Sequence, residues 1–205
     1  MPSAPSFERT KRHSPFLKGV AALCGMDESE PSIAMFDPSD PVEPQAGDVA
    51  WSPDLLAGCH SSLRNLHDYW NARRGARLMP ARSDLDPVDL KPILPLLILI
   101  DVVADARRYA YRLVGTREVE MRGSDPTGKA VQDAYYAESP QETARYLDRV
   151  VRTRQPVLYR GTYQPLSTRT QREEVLFLPM SKDGETVNMI MILGHIDWMK
   201  DEARI

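Results

Sequence analysis

The chain has few cysteines, no long apolar run and no excess of basic charge. Its 205 residues include two cysteines, Cys24 and Cys59, and carry a formal net charge of −3. Two cysteines do not build a disulfide framework, and the longest apolar run, residues 96–103, has the length of a strand and not of a membrane span. The acidic balance argues against a nucleic-acid partner, because such proteins usually carry a basic face. These absences predict a soluble, cytoplasmic protein.

A complete phosphate-binding loop is also lacking. The segment 123–130, GSDPTGKA, fits G-x-x-x-x-G-K, but Ala130 replaces the hydroxyl residue that would hold Mg²⁺, and Pro126 removes a backbone N–H. The residues before it do not form an apolar strand. The segment is therefore predicted to be a surface turn between helical pieces, and no catalytic residues are assigned. A nucleotide-handling enzyme that uses this loop remains the alternative.

Composition divides the chain near Trp51. Residues 1–50 hold 7 of the 17 prolines and 8 acidic against 4 basic side chains. A segment of this kind buries too little apolar surface to order itself, so we expect an acidic, proline-rich tail. It is either a solvated leader or a docking arm. An N-terminal helix with its connection then covers residues 51–79, and a domain covers residues 80–205.

The N-terminal helix is predicted to begin at residues 52–54, Ser-Pro-Asp, which supply a capping hydroxyl, a proline at the first helical position and an acidic first turn. Gly75 ends it. Between them lies one apolar stripe at steps of three and four residues, formed by Leu56, Cys59, Leu63, Leu66 and Trp70. Two interpretations stay open: the stripe covers the sheet of its own domain, or Leu56, Leu63, Leu66 and Trp70 form the seam of a homodimer.

The next segments predict a hairpin and two helices. Residues 96–103 are apolar on both sides, as in a central strand, and residues 109–114 alternate in polarity and pair with them. A short helical stretch follows, with Gly123 placed to end it. Residues 139–142, Ser-Pro-Gln-Glu, form a capping box that begins a longer helix, and Pro156 ends that helix.

Three further strands are predicted over residues 157–164, 174–180 and 186–197. Residues 182–185, Lys-Asp-Gly-Glu, join the last two as an Asp-Gly hairpin turn. Two strands, short helices, a longer helix and a three-stranded meander indicate an α+β fold.

A spaced run of short motifs resembles a bacterial family of small, mostly single-domain PAS-like proteins. The resemblance covers about residues 60–196 and is carried by Arg74-Gly75, Pro80-x-Arg82-x-Asp84-x-Asp86-Pro87, Asp101-Val102, Arg112-Leu-Val-Gly115-Thr116 and Gly123-x-Asp125-x-Thr-Gly128. It implies a five-stranded antiparallel sheet with helices packed on one face and a pocket between them. It also implies ligand binding, dimerisation or partner docking rather than catalysis. We interpret most of the motif residues as structural.

The residues present argue against the usual cofactors of such domains. A flavin photosensor needs a cysteine after the first two strands, where neither Cys24 nor Cys59 lies. A haem sensor usually takes its axial histidine from the long helix, which has none; His195 is the alternative ligand. His60 and His67 share a helix with Cys59, but a zinc site also needs a fourth ligand on the same face.

An organic ligand remains open. A mostly apolar pocket with polar tips is predicted from Tyr111, Leu113, Tyr135, Leu147, Val151, Tyr159, Tyr163, Phe177, Met189, Met191 and His195. The same residues fill a solid core equally well. Arg112 and Arg160 clamp a carboxylate if they face inward, and are otherwise solvated.

The sequence thus favours a non-catalytic, cytoplasmic signalling module that engages a protein partner, under the control of a small ligand if the pocket is open. A purely structural scaffold with a filled core is the main alternative.

Overall fold

The computed structural model describes residues 51–135, 140–163 and 171–198. Three α-helices and five strands make up this part of the chain, together with short 3₁₀ turns. The helices are α1 (Ser61–Arg74), α2 (Thr116–Arg122) and α3 (Pro140–Thr153), and the strands are β1 (Leu97–Val102), β2 (Tyr109–Val114), β3 (Val157–Tyr163), β4 (Gln171–Met180) and β5 (Met189–Trp198).

The five strands form one sheet in the order β2-β1-β5-β4-β3, and every neighbouring pair is antiparallel. This confirms the predicted α+β fold with a five-stranded antiparallel sheet. β1 and β5 lie at the centre, which explains why residues 97–100 are apolar without alternation: a central strand buries both of its sides.

Side chains alternate along a strand, so the even-numbered residues of β4 point to one face of the sheet and the odd-numbered residues point to the other. Val175 and Phe177 point to the side covered by α3, where the Tyr146 ring lies 5.6 Å from the Phe177 ring. We call this side the α3 face. Glu174 and Leu176 point to the opposite side, which we call the α1 face. All four strand residues are buried.

The α1 face is covered by residues 51–60 and by α1. The backbone N–H of His60 donates to Glu174 across 2.8 Å, and the indole Nε1 of Trp70 donates to the Pro179 carbonyl across 2.8 Å. Helices α2 and α3 lie on one face, as the resemblance implied, while α1 lies on the other. Both faces of the sheet are therefore covered within the described part of the chain.

The single helix predicted from residue 52 to Gly75 is wrong, because two elements occupy this stretch. Ser52 does cap a turn, accepting from the Asp54 N–H at 3.3 Å, but that turn is a 3₁₀ helix of four residues, Pro53–Leu56. Gly58, with φ of +80°, then redirects the chain before α1 begins at Ser61. A residue with positive φ does not continue a right-handed helix.

The apolar stripe is nevertheless buried in its own chain. Leu56, Leu63, Leu66 and Trp70 retain 0–3% of their exposure and belong to the core. This favours the first interpretation of the stripe, cover for the domain's own sheet. A dimer seam made of these four side chains has no free surface in this arrangement.

A β-bulge divides β2. Leu99 pairs with Leu113 and Ile100 pairs with Tyr111, so Arg112 has no partner on β1. One extra residue reverses the side to which the following side chains point. Tyr111 therefore faces α3, and Leu113 faces the α1 side.

The connection between β4 and β5 is longer than predicted. β4 ends at Met180 and β5 begins at Met189, so residues 181–188 form a loop and not an Asp-Gly hairpin turn. Asp183 organises it by accepting from the backbone N–H groups of Glu185 and Thr186 and from the Ser181 hydroxyl. These bonds hold the pKa of Asp183 well below its usual range.

Within the described residues, no helix combines the length and the apolar character needed to cross a bilayer. The predicted tail, residues 1–50, lies outside the described residues, and so does Ser139 of the predicted capping box.

Candidate functional site

The α3 face collects about half of the predicted pocket residues. Tyr111 and Phe177 are buried there beneath Leu147 of α3, and Tyr159 and Val151 are half-buried. Tyr135 is half-buried next to Ala134, whose carbonyl accepts from the Tyr111 hydroxyl at 3.1 Å. Tyr163 continues β3, but its side chain lies outside the described residues.

Four predicted pocket residues do not join this group. Leu113 is turned away by the bulge in β2, and Met191 and His195 pair across the sheet with Leu178 and Glu174, whose side chains point to the α1 face. Met189 shares that face as the partner of Met180. The predicted set mixed the two faces because sequence alternation alone does not say which side of a strand carries the pocket.

Tyr146 of α3 is a site residue that the sequence analysis missed. Its ring lies 5.3 Å from Tyr159 at an angle of 61° and 5.6 Å from Phe177 at 18°. The three rings join α3 to β3 and β4. The signal was present in the sequence, because Tyr146 lies four residues before Val150 and so extends the apolar face of α3.

Glu173 is the second missed residue. It lies in β4, points to the α3 face and pairs with Gly161 of β3. Burial, followed by the charges of Glu118 and Glu142, raises the pKa of its carboxyl to about 7. The ring of Tyr159 leans over Gly161, where a Cβ atom would approach the Tyr159 hydroxyl to 2.2 Å. A titratable carboxyl and a phenol are thus carried by paired strands at one end of the α3 face. An isolated Glu in a strand gives no sequence signal for this.

A second buried carboxyl lies on α2. Burial raises the pKa of Glu118, while the Arg122 guanidinium, with Nε at 3.7 Å from Glu118 Oε2, acts in the opposite direction. Arg122 Nη1 also donates to the Tyr111 hydroxyl at 3.1 Å. These contacts fix α2 against β2 at the margin of the α3 face.

The other end of α3 is tied to β2. The Tyr109 hydroxyl donates to Asp148 Oδ1 at 2.5 Å, and Arg108 pairs with the same carboxylate at 2.7 Å. Burial, followed by the Asp148 charge, raises the pKa of Tyr109 far above its usual range. Tyr109 therefore acts as a neutral hydrogen-bond donor.

Arg112 and Arg160 do not form a carboxylate clamp. β2 and β3 are the two outer strands of the sheet, so the two side chains lie at opposite edges. Arg112 is exposed and lies 3.9 Å from Asp101. Arg160 Nη2 donates to the carbonyls of Leu55 and Ala57 at 2.8 and 3.0 Å.

The acidic family-motif residues hold turns. Asp84 accepts from the Ala81 N–H at 2.8 Å and from Arg77, which together lower its pKa. Asp86 accepts from the Val88 N–H at 2.8 Å and so caps the predicted turn. Asp125 accepts from Thr127, and these bonds lower its pKa. Arg82 opens the 3₁₀ turn that contains Asp84.

The glycines of the motif allow tight backbone geometry. Gly123 ends α2 with φ of +75°, as predicted, and Gly128 has φ of +85°. Gly115 precedes Thr116, the first residue of α2, and a Cβ atom on it would approach the carbonyl oxygens of Leu94 and Pro95 to 2.4 Å. Only glycine fits there without a shift of the backbone.

The GSDPTGKA segment closes the outer edge of the sheet. The Gly128 N–H donates to the Tyr111 carbonyl at 2.8 Å, the Tyr111 N–H donates to Lys129 at 3.0 Å, and Ala110 bridges to Ala130. The Gly128 N–H is thus turned toward β2, and the Lys129 N–H donates to the Pro126 carbonyl, so neither of them faces a phosphate.

The histidines considered as metal ligands lie on the α1 side. His195 stacks on His60 with ring centroids 3.6 Å apart, and His67 is buried between Trp51 and Trp70. His195 therefore points to the α1 face and not toward the aromatic side chains beneath α3. Within the described ranges, no group of three or more His, Cys, Asp or Glu residues is arranged to hold a metal ion.

A small cleft on the α1 face has room for only one or two water molecules, with a volume of about 20 Å³. It lies under the 80–96 segment and is lined mainly by leucines, with Arg82 at its margin.

Comparison with solved structures finds sensory domains at low identity. A sensory box sensor histidine kinase from Vibrio cholerae is 17% identical, with 55% of this chain and 92% of that chain covered and a TM-score of 0.40. A PAS domain of an HTR-like protein from Haloarcula marismortui is 15% identical, with 54% and 90% covered and a TM-score of 0.32. A LOV protein from Rhodobacter sphaeroides is 10% identical, with 58% and 71% covered and a TM-score of 0.34. No curated protein matches the chain.

The structural similarities are weak, but a family match covers most of the described chain. The PAS domain family matches residues 59–196, which is more than half of the chain and runs from just before α1 into β5. PAS domains are typically sensory or signalling modules. The chain belongs to the PAS domain family.

Proposed function

We propose that this PAS domain is a non-catalytic, cytoplasmic signalling module that acts by binding a partner protein. The single observation that carries the proposal is the contrast between a sheet covered on both faces and two exposed apolar side chains beside α1. Leu78 keeps 55% and Val88 keeps 76% of its exposure. Exposed apolar patches that are rimmed by polar residues mark protein interaction surfaces.

Two ion pairs join the segments that carry Leu78 and Val88. Arg77 Nη2 lies 2.6 Å from Asp84, and Arg73 Nη2 lies 2.5 Å from Asp89. They hold the connection after α1 against the 84–90 turn. An apolar centre with a charged rim is the usual composition of a protein interface. We call Leu78, Val88 and these two ion pairs the docking patch.

A capture experiment with matched variants tests the docking patch. The full chain is immobilised and the proteins retained from a host lysate are identified by mass spectrometry. Leu78→Asp and Val88→Asp are expected to reduce the retained partner at least about tenfold. Met121→Asp is the control, because Met121 is 39% exposed but lies on α2. Equal capture by the wild type and all three variants contradicts the proposal.

A small ligand on the α3 face is proposed as the control of this module. Glu173 and Tyr159 supply polar groups at one end of that face, while Tyr111 and Phe177 supply apolar walls, which is the composition of a small-molecule site. A ligand that bonds to Glu173 changes the charge of a carboxyl with a pKa of about 7, so binding and pH are expected to be linked.

A scaffold with a filled core is the second candidate, and one observation favours it. The rings of Tyr146, Tyr159 and Phe177 contact one another, and Leu147 beside them is fully buried. Packing of this kind leaves little room without a movement of Tyr146.

Native mass spectrometry separates the two candidates. A small mass retained by the wild type and lost in Glu173→Gln supports a ligand on the α3 face. Its absence from freshly purified protein supports the scaffold. Glu185→Gln, in the exposed loop after β4, is the matched control. The same spectrum reports the dimer mass and so tests whether the partner is a second copy of the chain.

A further inference from the structure

The segment 51–60 is held on the sheet by two charged side chains. Arg160 of β3 donates to the carbonyls of Leu55 and Ala57, and Glu174 of β4 accepts from the His60 N–H at 2.8 Å. Arg160 and Glu174 face each other across the strands with Nε and Oε1 3.5 Å apart. Glu174 is buried, so its contacts are only weakly screened by water.

Two imidazole rings also join the segment 51–60 to the sheet. His60 stacks on His195 of β5 with centroids 3.6 Å apart and an angle of 10° between the ring planes. Two rings in such close contact repel each other strongly if both are charged. At least one of them must be neutral for the arrangement to persist.

His60 also caps α1 through its ring. Its Nδ1 lies 2.8 Å from the Ser62 hydroxyl and accepts from the Ser62 N–H at 3.3 Å. A ring nitrogen that carries a proton no longer accepts a hydrogen bond. The first turn of α1 therefore requires His60 to be unprotonated at Nδ1.

We infer that His60 and His195 form an acid-sensitive latch, which holds residues 51–60 and the first turn of α1 on the sheet and releases them when both rings are protonated. The inference is independent of the proposed partner and ligand. It assigns a regulatory role to the junction between residues 1–50 and the domain.

The groups around the two rings shift the pKa of His195 in both directions. Burial, followed by repulsion from His60, lowers the pKa of His195, whereas Asp197 of β5 and Glu174 of β4 raise it. Arg160 of β3 faces Glu174 and partly offsets that carboxylate. Cys59 packs beside Arg160 at 3.0 Å, and burial raises the pKa of its thiol, so it adds no charge near neutral pH.

The sign follows from the lowered pKa of His195. The unfolded state binds the proton more readily than the folded state, so stability rises with pH in this range. The contribution is fully present above the ordinary histidine value of about 6.5 and is lost as pH falls through the lower folded value.

Amide hydrogen exchange followed by NMR on the full chain tests the latch. Protection of residues 55–64, corrected for intrinsic exchange rates, is expected to fall at least about tenfold between pH 7.5 and pH 5.5. The amides of β1 and β5 are expected to keep their protection. In the double variant His60→Asn, His195→Gln the loss is expected to disappear, because asparagine caps a helix without titrating.

Two controls keep the test specific. His67→Gln removes a buried histidine of the same helix outside the latch, and Glu173→Gln removes the carboxyl that titrates near pH 7; both should retain the acid response. Unchanged protection of residues 55–64 in the wild type overturns the inference, and so does a full acid response in the double variant. If the double variant fails to fold, the wild-type titration decides: the Ser62 amide shift must follow the imidazole titration.

Discussion

Glu173 and Glu174 are neighbours in β4, yet they lie on opposite faces of the sheet and in different electrostatic surroundings. Glu174 is 3% exposed and has two donors, the His60 N–H and the Arg160 guanidinium. Burial, followed by the charges of Glu118 and Glu142, raises the pKa of Glu173 to about 7. The comparison teaches that the alternation of side chains along one strand places two adjacent carboxyls among different donors and different charged neighbours.

The same contrast holds for the two faces as a whole. The α1 face is a structural junction, in which Trp70 and the residues before α1 are fixed to strand backbone and side chains. The α3 face combines an aromatic cluster with a titratable carboxyl. We therefore expect changes on the α1 face to act mainly on stability, and changes on the α3 face to act on the response to pH and ligand.

Trp70→Ala should have the largest effect. It removes a fully buried indole and its hydrogen bond to Pro179, so the free energy of unfolding is expected to fall by about 3–5 kcal/mol in urea titrations. Tyr146→Ala on the α3 face is the comparison and should cost less, because Tyr146 is only half-buried. A loss below about 1 kcal/mol for Trp70→Ala would mean that α1 is a detachable element.

Glu173→Gln should stabilise the protein at alkaline pH. The carboxyl has a pKa of about 7 instead of its ordinary 4.5, so its contribution to stability is fully present below pH 4.5 and is lost as pH rises through about 7. The gain at pH 8 is expected to reach up to about 3 kcal/mol and to be small at pH 5, as measured by urea unfolding at both values.

Glu174→Gln is the matched change on the other face. It removes the charge that faces Arg160 and is expected to lower the free energy of unfolding by about 1–2 kcal/mol at pH 8. Opposite signs for the two glutamine variants sharpen the distinction between the faces. The same sign for both would show that the two carboxyls share one environment.

Tyr109→Phe tests how α3 is tied to the sheet. It removes the hydroxyl that donates to Asp148, while the Arg108 ion pair with Asp148 remains, so the expected loss is about 1 kcal/mol. Tyr69→Phe on α1 is the control, since its hydroxyl bonds to Asp86 in an exposed position where water replaces it. Thermal unfolding at pH 7 should rank the two variants in this order, and an equal loss would count against a special role for Tyr109.

Lys129→Ala should have the smallest effect. Lys129 is exposed, and its backbone, not its side chain, pairs with β2, so the change in the free energy of unfolding should stay within about 0.5 kcal/mol. Calorimetric titration with magnesium and ATP should give no binding heat for either protein. Binding that disappears in the variant would reinstate the nucleotide alternative.

Local signals in the sequence predicted most of the elements. The apolar run at residues 96–103 contains β1, Gly123 ends α2, and Asp86 caps the turn that begins at Pro87. Each of these features depends on residues close together in the chain, so propensity and capping are sufficient to find them. Two exceptions were the break at Gly58, where an uninterrupted three-four stripe concealed a change of element, and residues 181–188, which form a loop where a hairpin turn was predicted.

The candidate site was predicted less well, because its composition depends on which sides of distant strands meet. Leu113 points to the α1 face because of the bulge in β2, and His195 points there because it pairs with Glu174. Glu173 and Tyr146 belong to the site on the α3 face, but neither was predicted from the sequence. Arg112 and Arg160 were separated by the strand order, which places β2 and β3 at opposite edges.

The sequence by itself determined the elements, the antiparallel meander and the membership of this chain in its family. Only the tertiary structure decided which face each side chain reaches and which charges become neighbours. The physical reason is that alternation defines two sides of a strand without distinguishing them. Register and a single bulged residue then select the side, and with it the environment of each titratable group.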